Sequence, residues 1–128
     1  MAEYSGRPVD LRIQYFDPSS IRADSIIFII GKRGCGKSTV AEDVMSHFTH
    51  IKEGICVSKT DRMNGFWSRH VPGLFIHHQY DKSITQRLLE HQERKWERHK
   101  RECKKRGETP DISDIEPAFA IYDDVTYD

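Results

Sequence analysis

The sequence has no hydrophobic run that could cross a bilayer. Its longest purely apolar stretches, Ile26 to Ile30 and Ala118 to Tyr122, fall far short of the ~18 residues a spanning helix needs. It has few cysteines: Cys35, Cys56 and Cys103 are an odd number, far apart, without a C-x-x-C pair. That pattern argues against a disulfide scaffold or a zinc site and for free thiols in a reducing compartment. The first residues, Met1-Ala2-Glu3-Tyr4-Ser5-Gly6, show neither the basic nor the apolar region of a secretory signal. Net charge is also lacking, with 20 basic against 20 acidic side chains in 128 residues. A basic nucleic-acid tail and a uniformly acidic disordered chain are thereby excluded as the main theme. Internal repeats and low-complexity tracts are missing as well. What remains is the expectation of one compact domain that is soluble and intracellular.

The charges that are present are unevenly placed. Residues 82–106 carry 10 basic and 4 acidic groups, whereas residues 107–128 carry 7 acidic groups and no basic one. Asp10 to Phe16 alternates loosely, which suits an edge strand within a lead-in over residues 1–24, and Asp17-Pro18-Ser19-Ser20 is turn chemistry. Ile26-Ile27-Phe28-Ile29-Ile30 predicts a central strand buried on both faces. Val40, Ala41, Val44, Met45 and Phe48 then recur at helical spacing. Further strands are expected at Gly54 to Ser58, at Leu74 to His77 and at Pro117 to Tyr122. Ser83 to Arg106 predicts one long charged helix, with a capping box from Ser83 and Gln86 and a stop at Gly107. Its apolar positions thin out after Trp96, so its second half is expected to project from the core. The order of elements implies an α/β domain with a mostly parallel sheet sandwiched by helices. Only six residues follow Tyr122, so the sheet reads as truncated after its last strand and the chain as a fragment.

Gly31-Lys32-Arg33-Gly34-Cys35-Gly36-Lys37-Ser38 matches G-x-x-x-x-G-K-[ST] at every fixed position, between a predicted strand and a predicted helix. Glycines let the backbone wrap closely around phosphates, and the helix N-terminus adds partial positive charge facing the anion. In this reading Lys37 reaches the β- and γ-phosphates of ATP, the Ser38 hydroxyl ligates Mg²⁺ and Thr39 adds an α-phosphate contact. Ala118 to Tyr122 followed by Asp123-Asp124 is an apolar strand tipped by acids. Ligands of parallel sheets sit beyond the carboxyl ends of the strands. Asp123 is therefore the candidate Mg²⁺ partner and Asp124 the candidate base for the attacking water. The fold expectation becomes a P-loop NTPase. Ser58-Lys59-Thr60-Asp61 imitates a guanine-reading motif but lies too soon after the loop for that role. A small-molecule or nucleotide kinase with a lid on the 83–106 helix remains an alternative, as does a nucleotide-binding module without turnover.

The string from Phe16 to Val40 around the loop, Asn64-Gly65-Phe66-Trp67 and the residues following it to His77, and Ala120-Ile121-Tyr122-Asp123-Asp124 together resemble a known family. It is the poxvirus-type DNA-packaging ATPases of large double-stranded DNA viruses, in the FtsK–HerA branch of P-loop motors. The resemblance covers roughly residues 11–128. It implies a homo-oligomeric, ATP-driven ring that pumps viral double-stranded DNA into a capsid. Capsid or portal components would be its partners, with no membrane partner. The location implied is the host cytoplasm or viral factory, or the virion. By position, Lys37 and Ser38 would hold ATP and Mg²⁺, Asp123 would support the metal, and Asp124 would stand where the branch commonly has Glu. Sensor residues and an arginine finger are expected beyond the acid strand.

Other features have two readings each. Arg33 is either a charge clamp on the γ-phosphate or a solvent-facing loop residue. Cys35 at a helix N-terminus favours thiolate, so its alkylation would block nucleotide binding, or it is a tolerated small residue. The basic half of the long helix either touches DNA phosphates or a neighbouring subunit, or is a solvated face. Phe66 and Trp67 line a contact or pack in the core. His77 and His78 have no cysteine or acid pattern around them that would make a metal site.

Overall fold

The computed structural model describes residues 12–125, which divide into two compact units, one ending at His47 and the other beginning at Phe48. In the first unit Pro18–Ser20 form a single 3-10 turn, fixed by Asp17, whose Oδ1 accepts from the Ser19 N–H at 3.0 Å. Helix α1 spans Lys37–Ser46, about the three turns that the apolar spacing predicts. The expected buried strand at Ile26 to Ile30 is not formed. All five side chains are at least one-third exposed, and Ile26, Phe28 and Ile30 exceed 80%. Propensity alone does not make a strand; neighbours do, and no described strand pairs with this segment. Residues 12–16 are not a strand either, while the start of that expected element, Asp10 and Leu11, lies outside the described residues.

The second unit contains the sheet. Its elements are β1 (Glu53–Ser58), α2 (Asp61–Asn64), β2 (Ile76–His77), α3 (Lys82–Arg106) and β3 (Ala118–Asp123), with 3-10 turns at Trp67–Arg69, Gly73–Phe75 and Ile112–Asp114. The strands run parallel in the order β2-β1-β3, with Val57 opposite both His77 and Tyr122, and Ser58 opposite Asp123. The unit is thus α/β in character with a small, wholly parallel sheet. Central β1 is buried from Gly54 onward, and Ile55, Cys56 and Val57 join Trp67, Val71, Ile76 and Cys103 in the core. Gly54 is required there: it lies opposite Phe119, and a Cβ would fall inside the Phe119 ring and carbonyl.

Two expectations for α3 need correction. Its N-cap is Asp81, which accepts from the Ser83 N–H at 2.8 Å, and Gln86 bonds Glu90 instead of closing a box with Ser83. Asp-x-Ser serves the same way three times, at Asp17, Asp81 and Asp111. In each case the serine's donors, one of them its backbone N–H, hold the aspartate pKa below its ordinary 3.8. Nor does the second half of α3 project. Lys95 and His91 pair with Glu53 on β1, and Cys103 is 2% exposed. The buried stripe continues through His99 and Cys103, at helical spacing from Trp96. The acidic segment folds back on it, with Asp114 3.3 Å from His99 and Glu108 3.6 Å from Arg106. The abrupt charge change in the sequence is thus matched by a contact in space. Gly107 ends the helix as expected, at φ 70°, with its N–H and that of Glu108 returned to the last turn.

Candidate phosphate and metal site

The loop from Gly31 to Gly36 turns on two left-handed glycines, Gly34 at φ 77° and Gly36 at φ 91°, a conformation that costs other residues strain. Gly36 is the N-cap of α1, so the helix starts at Lys37, with Ser38 and Thr39 exposed in its first turn. The first four N–H groups of any helix lack partners within it, and no acid occupies this turn to take them up. The Lys37 ammonium reaches back over the loop and donates to the Gly31 and Lys32 carbonyls, at 2.8 Å each. The Cys35 N–H donates to the Lys32 carbonyl at 3.3 Å. Gly31 also has a steric reason, since a Cβ there would meet Cys35 Sγ at 2.5 Å. Arg33 and Cys35 are exposed. All nine loop and helix residues expected to hold nucleotide, Gly31 to Thr39, therefore sit in one continuous turn with a cation closing it. Such a turn can surround a small anion with N–H donors and one ammonium.

The acid pair stands at the carboxyl end of β3. Asp123 is half-buried and Asp124 exposed, and Asp124 takes a left-handed backbone at φ 53°, which aspartate tolerates better than most side chains. Asp123 is held from one side. The Trp67 indole N–H donates to its Oδ2 at 2.7 Å across 56 residues of sequence. Trp67 is in turn seated by Asp61, whose Oδ1 accepts from the Trp67 and Ser68 N–H groups at 2.7 and 3.1 Å while Oδ2 accepts from the Ser68 hydroxyl. Burial opposes ionisation of Asp61, but these donors outweigh it and its pKa lies below the ordinary 3.8. Beneath them, burial first and then the carboxylates of Asp61 and Asp123 push the Cys56 thiol up to about 12. This thiol is packing, not a nucleophile.

Among the described residues no group of three or more His, Cys, Asp or Glu side chains could hold a metal. Mg²⁺ does not need one, since it keeps several waters and takes one or two protein oxygens plus phosphates. Asp123, a half-buried carboxylate oriented by Trp67, fits that demand; so does the exposed Ser38 hydroxyl. Of the two aromatics, Trp67 is in the core at 3% exposure, while half-buried Phe66 stands edge-on to it at 4.9 Å under the Arg69 guanidinium. Sequence reasoning meets Asp61 only within the Ser58–Asp61 motif that it sets aside, and it does not reach the anchoring of Trp67. The only hint is local, an acid six residues before a tryptophan in a turn-rich segment.

The chain is similar to three viral proteins. An uncharacterized protein of Acanthamoeba polyphaga mimivirus is 38% identical over 100 residues, which is 78% of this chain and 35% of that protein. An uncharacterized protein of Invertebrate iridescent virus 6 is 36% identical over 93 residues, 70% of this chain and 36% of the relative. An uncharacterized protein of Frog virus 3 (isolate Goorha) is 34% identical over 83 residues, 64% of this chain and 23% of the relative. The chain spans about a third or less of the length of these relatives. No family model and no solved structure matches it. Among the described residues no helix is long and apolar enough to cross a membrane.

Proposed function

We propose that this chain is the nucleotide-binding part of a viral P-loop ATPase, a motor subunit that drives double-stranded DNA into a capsid as a member of a homo-oligomeric ring. The observation that carries the reading is the Gly31–Ser38 turn, with two left-handed glycines, a helix opening at Lys37 and the Lys37 ammonium drawn over the loop. The viral source of all three relatives supports the viral part of it.

In this mechanism the first-turn N–H groups of α1 and the Lys37 ammonium bind and neutralise the β- and γ-phosphates of ATP. The Ser38 hydroxyl and the Asp123 carboxylate would hold Mg²⁺, which when bound withdraws charge from the phosphoryl oxygens. Trp67 keeps Asp123 in one orientation, and Asp124 accepts the proton of the attacking water. Addition of ATP with Mg²⁺ is expected to raise the melting temperature of the wild type and not that of Lys37→Ala. Equal stabilisation of both overturns the reading. Labelled ATP then separates the reaction classes: inorganic phosphate as the labelled product marks hydrolysis, a labelled acceptor marks a kinase. Asp124, an exposed Asp with a left-handed backbone where the resembled branch commonly has Glu, favours a second reading of binding without turnover, which ATP hydrolysis by the wild type would exclude.

A further inference from the structure

The carboxyl edge of the sheet carries opposite charge at its two ends. At β3 it ends in Asp123 and Asp124. At β1 and β2 it opens into a cleft of about 560 Å³ lined by Lys59, Arg62, Ile76, His77, His78 and Gln79. Lys59 directly follows β1, His77 closes β2 and His78 directly follows it, so the cleft lies where parallel strands present ligands. No carboxylate lines it. The nearest acid in sequence, Asp61, is not in the lining; it stays ionised, turned to the Trp67 and Ser68 donors, with its charge felt by His78. His78 keeps a buried Nδ1 without a hydrogen-bond partner, a polar atom left unsatisfied where most such groups are paired.

We infer that this cleft is a second anion site, separate in sequence from the Gly31–Ser38 loop, that takes phosphate groups through the Lys59 and Arg62 cations and the His77 and His78 imidazoles. The loop holds phosphate with backbone N–H groups in a tight turn, which suits one compact anion. The cleft offers point charges on long side chains around a volume several phosphates could fill, which suits a chain of phosphates read by charge. Two sources supply that chemistry, a nucleic-acid backbone and a free polyphosphate or nucleotide. The inference does not depend on the ATPase reading.

The test follows the His77 and His78 imidazole resonances while inorganic pyrophosphate, and separately a duplex oligonucleotide, is added to wild type, to Lys37→Ala and to the double variant Lys59→Ala with Arg62→Ala. At least one probe is expected to shift both histidines in wild type and in Lys37→Ala alike, and the double variant is expected to bind about tenfold or more weakly at an unchanged melting temperature. Loss of two phosphate contacts should also reduce the slope of log affinity against log salt by about 2. A shift by duplex that pyrophosphate does not displace assigns the site to a nucleic-acid backbone. A shift by pyrophosphate alone assigns it to a free polyphosphate. Unmoved histidines with both probes, or undiminished affinity in the double variant, overturn the inference.

Discussion

The loop ahead of α1 and the sheet edge beyond β3 are built by opposite means. The loop and the helix start after it are nine consecutive residues, and their side-chain and turn hydrogen bonds span at most six positions, from Lys37 to Gly31. No residue from 12 to 47 is buried. Glycine φ angles and a helix N-terminus suffice to shape it. The acid tip depends on a bond between residues 56 apart and on a tryptophan seated by a buried aspartate. One is coded locally and exposed; the other exists only once the sheet has assembled. Substitutions in the first should therefore alter ligand binding at constant stability, and substitutions in the second should alter both.

The hardest break in that contrast is Trp67→Ala. It empties the core position under Asp123 and is expected to cost about 3–5 kcal/mol in urea unfolding, as large aromatic deletions do. Lys37→Ala, by comparison, should stay within about 1 kcal/mol of wild type while losing its response to ATP with Mg²⁺. Gly54→Ala forces β1 and β3 apart at Phe119 and should cost about 1–3 kcal/mol by the same measurement. Asp61→Asn tests the sign of a proton linkage. Because the folded pKa of Asp61 lies below 3.8, its stabilisation is present above that pH and is lost as pH falls below it. The acid limb of the wild-type stability curve should flatten in the variant. The mildest probe is thiol labelling at neutral pH: exposed Cys35 should react in the native protein, whereas buried Cys56 and Cys103 should wait for unfolding. For Cys56 the raised pKa makes the contribution present below pH 9.0 and lost as pH climbs toward 12.

The same contrast governs what could be read in advance. The phosphate loop was legible from Gly31 to Thr39 because each requirement sits in the residue that meets it. Strands β1 and β3 are legible as short apolar runs, β1 being buried without a break from Gly54, and helix α3 by its length and its stop at Gly107. The Ile26 to Ile30 run signals a demand for burial, but a sequence does not name the partners that would satisfy it, and no described strand does. The far end of α3 packs against expectation because its stripe is filled by His99 and Cys103, a polar ring and a small thiol that a count of apolar residues passes over. Asp61 was hidden by its chemistry: in sequence it is one more acid, and only its position beneath the Trp67 turn makes it an anchor.

The indole on Asp123 gives the molecule its own light meter. Trp67 Nε1 touches that carboxylate at 2.7 Å, so a divalent ion arriving there changes the field across the ring, and the emission colour should move with it. The chain has two tryptophans. With Trp96→Phe silencing the other, fluorescence would report occupancy of a single oxygen pair without any label attached.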